Sequence, residues 1–320
     1  MTWLRAAAQG LLLAAGLAWA TACSAPRVGP PPDAPRFTRP LSAMPADLDV
    51  VLRVDLKRIR DTLGGPAMTA LSGQALHGLH GEDHATDELL LKMLSQTDTL
   101  YVGLRPSPAF GAADSVYVMA GHFSGFDPAR AESSPRFSSA LDLGGDLRRY
   151  DRAPPKTRSA PARFYVRGEE LIVSVTEAEI DSVERTLEQG RGRPSLEPAE
   201  KGALSAVARP RVLPRQLFAG SRPLRELAQD ASRVELDADL TSAGVDASLA
   251  LKFDDPSAAE QVGHALIDMR DALKTSPGRL AKFAARVEIS NAAEFVTLHF
   301  ALGRDEFSEL INCRGTACDW

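Results

Sequence analysis

The stretch RVELDADLTSAGVDASLALKF, residues 233–253, decides the fold class of this chain. Apolar residues occupy every second position on both sides of a Ser242-Ala243-Gly244 turn, and Glu235, Asp237 and Asp239 alternate with them. Side chains of a β-strand point to opposite faces in turn, so this period of two predicts a hairpin with one buried and one solvated face. The small turn residues favour a short connection between antiparallel strands.

An N-cap followed by proline marks a helix after each of two strand pairs. Asp255-Pro256 follows residues 233–253, and Asp127-Pro128 follows strands predicted at 99–104 and 115–123. An aspartate N-cap satisfies backbone N–H groups in the first helical turn, and proline fits the first helical position because it has no N–H to donate. The same order of elements is therefore predicted in both halves of the chain.

Further elements complete each half. A predicted hairpin over residues 163–175 precedes the capping-box sequence Thr176-Glu177-Ala178-Glu179, and two more strands are predicted within residues 286–302. We therefore predict an α+β fold of two related units, residues 45–190 and 195–312, after a disordered Pro-rich tether. Each unit is expected to contain a mainly antiparallel sheet with helices packed on one face.

The first 22 residues are typical of a secretory signal peptide. A short segment containing Arg5 precedes an apolar stretch over residues 6–20, and small residues lie just before Cys23. The apolar stretch is shorter than the ~20 residues that a membrane-spanning helix needs, which favours a cleaved signal. Residues 23–44 follow as the tether, and its prolines favour an extended polyproline conformation.

The sequence Ala20-Thr21-Ala22-Cys23 resembles the lipobox of bacterial lipoproteins, with alanine where the motif usually has leucine. This resemblance implies a lipid anchor on Cys23, and Ser24 after it implies delivery to the outer membrane. Residues 45–55 and 233–302 are similar to uncharacterised bacterial exported lipoproteins built from tandem α+β units. That family has no assigned activity, so the resemblance implies no further functional residue.

Acylation of Cys23 would leave two of the three cysteines, Cys313 and Cys318. In an oxidising compartment we expect them to form a disulfide within the tail, residues 313–320. The alternative, a metal site, would need closer cysteine spacing and further ligands. The net charge is only -5 with 25% charged residues, so the composition does not favour a nucleic-acid partner.

One histidine cluster is a candidate metal site. On a continuous helix His77, His80, His84 and Glu88 would share one stripe, and imidazole and carboxylate groups so placed could bind zinc. Gly78 and Gly81 interrupt the stretch and disfavour a helix, so the alternative is a solvated helix end or loop without a ligand. No cofactor other than this zinc ion is expected.

The remaining candidates are weaker. A basic segment around residues 148–163 could contact anionic lipid headgroups, or it could be an ordinary solvated loop. Asp237 and Asp239 would share one strand face, as a carboxylate pair requires, but so do the residues of any exposed strand. Sequence motifs of common hydrolases are absent. We expect a non-enzymatic, lipid-anchored envelope protein that contacts the membrane through its anchor and binds a protein partner; the alternatives are a metal-binding module or an envelope hydrolase.

Overall fold

One antiparallel sheet of twelve strands organises the computed structural model, which describes residues 39–64, 84–106, 113–130, 137–153, 161–188, 194–210, 230–275 and 279–306. The strands of these ranges are β1 (Val50–Asp55), β2 (Thr97–Pro106), β3 (Ala113–Gly121), β4 (Leu141–Asp142), β5 (Leu147–Asp151), β6 (Arg163–Arg167), β7 (Leu171–Val175), β8 (Leu204–Ala208), β9 (Ala231–Thr241), β10 (Gly244–Phe253), β11 (Glu288–Ala292) and β12 (Phe295–Gly303).

Helices fill the connections between these strands. Within the same ranges the α-helices are α1 (Leu56–Leu63), α2 (His84–Gln96), α3 (Ile180–Glu188), α4 (Pro256–Lys274) and α5 (Arg279–Ala284). Short 3₁₀ turns lie at Pro40–Ala43, Pro128–Arg130 and Glu177–Glu179. No helix of the described ranges is both long and apolar enough to cross a bilayer.

The strand order is β11-β12-β10-β9-β8-β1-β2-β3-β7-β6-β5-β4, so the first strand lies in the middle of the sheet. β1 pairs with β2 on one side and with β8 on the other, with Val51 opposite both Gly103 and Val207. The sheet therefore runs without a break through residues assigned to both predicted units, 45–190 and 195–312. The division into two units stays a prediction.

The strand registers divide the sheet into two faces. Directly opposed residues share a face, so Val51, Tyr101 and Val118 lie on one face, and Leu100, Met119 and Leu249 lie on the other. The first is called the α3 face, because Val183 of α3 packs into its core. The second is called the α4 face, because Val262 and Leu266 of α4 pack on it with Leu251 and Val296.

Helices α1 and α2 also pack on the α4 face. Leu56 and Ile59 of α1 pack with Val54 and Leu100, and Met93 of α2 packs with Met119, all on the α4 face. The predicted α+β class with a large antiparallel sheet is confirmed. Helices nevertheless lie on both faces in the first half, because consecutive residues of strands β6 and β7 are buried and so both faces of these strands need cover.

The segment before β1 packs into the core of the α3 face. Ala43, Met44 and Leu48 are at most 1% exposed. Gly103 makes this packing possible, because a Cβ at that position would lie less than 3.0 Å from Leu48 Cδ1. The amide of Ser195 also donates to the carbonyl of Ala46 at 3.0 Å. The chain is thus fixed to the sheet from Ala43 onward, so the last two residues of the predicted tether, 23–44, belong to the folded core.

Of two predicted helix caps, one is confirmed and one is wrong. Asp255 is the N-cap of α4 as predicted, and its carboxylate accepts a hydrogen bond from the amide of Ser257 at 2.9 Å. The predicted capping box at residues 176–179 is wrong. Both side chains are buried: the Thr176 hydroxyl instead accepts from the amide of Ser115 at 2.9 Å, and Glu179 pairs with Arg105.

Candidate functional site

Most of the predicted site residues lie outside the described ranges. The lipidation site Cys23, the expected disulfide between Cys313 and Cys318, and two of the histidines, His77 and His80, belong to this group. Their predicted roles stay predictions.

Two members of the histidine stripe lie on a described helix. His84 is the first residue of α2, and Glu88 lies one turn later on the same helix. No group of three or more metal-binding side chains occurs in the described ranges, but the cluster itself extends beyond them, so the zinc site stays a prediction.

A buried ion pair fixes the start of the folded region. The Glu179 side chain is 2% exposed, and its Oε1 accepts from Arg105 Nε at 2.5 Å. Arg105 also donates to the carboxylate of Asp47 at 2.5 Å and to its backbone carbonyl at 2.9 Å. Burial raises the pKa of Glu179, whereas the hydrogen bond from Arg105 lowers the pKa of Asp47. The cluster ties three chain segments together, which is a structural role.

A second ion-pair network includes two arginines of the basic segment, Arg149 and Arg163. Arg163 donates to Asp151 at 2.5 Å and to Glu184 of α3 at 2.6 Å. Arg149 lies 3.4 Å from the same Glu184 carboxylate, and burial raises the pKa of the neighbouring Tyr165 to about 12. The picture of a fully solvated basic loop is therefore wrong for these two arginines, which attach α3 to β5 and β6.

Beyond these networks the α3 face becomes an open polar surface. Across β9, β10, β12 and β11, the register places Asp237, Ser248, His299 and Glu288 in one row. No helix of the described ranges packs on this side of these strands. This surface is called the polar surface. Its polar and charged side chains are Arg233, Glu235, Asp237, Asp239, Asp246, Ser248, Lys252, Glu288, Ser290, Thr297 and His299, and Ala250, Phe295 and Ala301 lie on the same side.

The charges of the polar surface are partly balanced by neighbours. Asp239 and Asp246 are directly opposite each other, which is unfavourable for two carboxylates. Arg58 of α1 pairs with Asp239 at 2.5 Å, and His299 Nε2 lies 2.9 Å from Asp246. The predicted pair Asp237 and Asp239 does share this face. Because Arg58 binds Asp239 and the surface is open, the two carboxylates do not form an enclosed catalytic dyad.

A shallow cavity of about 320 Å³ lies between the end of α1 and the β9–β10 turn. Leu63 and Leu240 supply apolar walls, and Thr241 and Arg304 supply polar ones. Its carboxylate, Asp61, already bonds to Lys57 at 2.9 Å. The described walls contain neither histidine nor cysteine, so the cavity lacks the usual partners of an activated nucleophile.

These features define an α+β protein built on one antiparallel sheet, with one part of a sheet face that no described helix covers. Two crystal structures of TP0453 are similar to it. Form I matches with a TM-score of 0.50 and 9% identity over 86% of this chain and 96% of that one. Form III matches with 0.48 and 10% identity over 86% and 98%. The form I match supports only a similarity of fold. No family model matches, and no curated protein matches by sequence.

Proposed function

We propose that this chain is a non-enzymatic binding protein of the bacterial envelope, anchored by lipid at Cys23, and that its polar surface binds a protein partner. The observation that carries the proposal is the polar surface itself, which covers one side of four neighbouring strands without a described helix on it. Interfaces between separately folded proteins are commonly about as polar as the rest of the protein surface. A surface of mixed charge and small hydroxyl groups is consistent with such a contact.

The chemistry of the described buried groups supports binding more than catalysis. The buried Glu179 and the largely buried Arg163 are held in ion pairs that join structural elements. A catalytic acid or base needs a cavity in which it can reach a substrate. Neither group lines the cavity near Thr241.

Site-specific photocrosslinking in intact cells tests the proposed surface. A crosslinker at Ser248 or Thr297, both on the polar surface, is expected to capture a discrete protein partner. The matched control is a crosslinker at Glu260, an exposed residue of α4 on the opposite side of the sheet. Equal capture from both sides, or none from the polar surface, would contradict the assignment of this surface.

Metabolic labelling tests the anchor separately. We expect a palmitate analogue to label the wild-type protein and a Cys313→Ala variant, but not a Cys23→Ala variant. Label that persists in the Cys23→Ala variant would overturn the proposed lipidation, without deciding whether the polar surface binds a partner.

A further inference from the structure

The two edges of the sheet are not equivalent. β4, at one edge, has only two residues, whereas β11, at the other, has five. In an antiparallel pair, an edge strand directs part of its backbone N–H and C=O groups away from its neighbour. No residue of the described ranges outside β12 hydrogen-bonds to the backbone of β11. β11 is therefore long enough for another strand to pair with its outer edge.

This edge lacks the devices that commonly prevent edge-to-edge pairing. β11 contains no proline and no lysine, and it pairs with β12 in an uninterrupted register without a bulge. Glu288, Ser290, Asn291 and Ala292 are exposed, while Ile289 packs with the core under α4. One carboxylate is the only charge on the strand.

We propose that a second copy of this chain pairs with β11, strand to strand and antiparallel, to extend the sheet across a twofold axis. Full overlap of the five residues places Ser290 opposite Ser290 of the second copy. Glu288 then faces Ala292, and Ile289 faces Asn291. The pairing opposes no like charges, and it places the polar surface of one copy beside that of the other.

Self-complementarity is the argument for a second copy over an unrelated strand. A twofold pairing uses the same patch on both molecules, so the patch must fit itself. The single carboxylate at one end of β11 meets a small, uncharged alanine of the second copy rather than another carboxylate. A contact of five residues per strand is small, so we expect a dimer that depends on concentration.

A charge-swap experiment tests the proposed twofold axis at Ser290. Ser290→Glu places two carboxylates opposite each other, and Ser290→Lys places two ammonium groups there; like charges directly opposed across strands repel. We expect the wild type to dimerise as its concentration rises in sedimentation velocity, and each variant to remain monomeric. A mixture of the two variants should recover the dimer, because opposite charges then face each other.

Ser232→Glu and Ser232→Lys are the matched controls, since Ser232 is an exposed strand residue away from this edge. They should leave dimerisation unchanged. Circular dichroism of every variant separates loss of pairing from loss of folding. A wild type that stays monomeric at its highest soluble concentration, or a dimer insensitive to both Ser290 variants, would overturn the proposal.

A gain-of-affinity variant gives an independent check. Ala292→Lys places an ammonium group opposite Glu288 of the second copy, and the symmetry produces this pair twice. The dimer dissociation constant should fall several-fold, and salt should weaken the gain. An unchanged constant, in a variant that folds normally, would refute the proposed register.

Discussion

Gly103→Ala tests how the segment before β1 is held against the sheet. An added Cβ would lie less than 3.0 Å from Leu48 Cδ1 and 3.0 Å from Met44 Sδ. Both side chains are at most 1% exposed, so they have little space to move into. Overpacking of this kind typically costs about 1–3 kcal/mol. We expect a loss of that size in the free energy of unfolding, measured by urea denaturation followed by circular dichroism.

The double variant with Leu48→Ala makes the test specific. Leu48→Ala alone should cost about 2–5 kcal/mol, because it leaves a cavity in the core. In the double variant the new methyl group lies in space that Leu48 has vacated, so the combined cost should be smaller than the sum by about 1 kcal/mol. Gly303→Ala, where the nearest atom is 3.4 Å away, is the control and should change little. Additive costs would refute the contact between Gly103 and Leu48.

Three further predictions concern backbone contact, capping and burial. Gly121→Ala should destabilise the fold by about 3 kcal/mol in urea denaturation, since the new Cβ would clash with the backbone carbonyl of Gln96; an effect as small as that of Gly303→Ala would contradict this. Asp255→Ala should lower the unfolding midpoint at neutral pH. Hydrogen bonds from Ser257 lower the pKa of Asp255. The wild type should therefore be more stable than Asp255→Ala above pH 3.8, and the difference should disappear as the pH falls through the lowered pKa, as measured by denaturation at several pH values. Burial raises the pKa of all four tyrosines, that of Tyr165 to about 12. The free energy of unfolding should therefore fall as the pH rises from 10 towards 12, and phenolate absorbance should appear together with unfolding. Titration of the tyrosines near pH 10 in the folded protein would contradict this prediction.

The local elements were largely predictable from the sequence. Strands predicted at 99–104 and 115–123 occur as β2 and β3, and the decisive hairpin occurs as β9 and β10. These segments have strong alternation, which depends only on residues close in sequence. Of the helix expected after Asp127-Pro128, the described ranges include only a 3₁₀ turn, Pro128–Arg130, and residues 131–136 lie outside them.

The long-range pairing was not predictable in the same way. β8 (LSAVA) was not predicted because a run of five residues with a single polar side chain gives a weak pattern, yet it joins β1 to β9. Likewise, the partner of Glu179 is Arg105, far away in sequence, whereas the local pattern suggested a capping box. Of the candidate site, the alternation predicted that Asp237 and Asp239 would face solvent, but only the register shows which strands extend the polar surface.

The central place of β1 has a consequence for how the molecule is assembled. A chain that emerges amino end first can pair β1 with β2 early, but the opposite edge of β1 has no neighbour until residues 204–208 arrive. A half-synthesised product would therefore expose an apolar strand with unsatisfied backbone groups, a condition that promotes aggregation. Products truncated before Leu204 should collect in inclusion bodies, and the nascent protein should depend on a holding chaperone until its later strands appear.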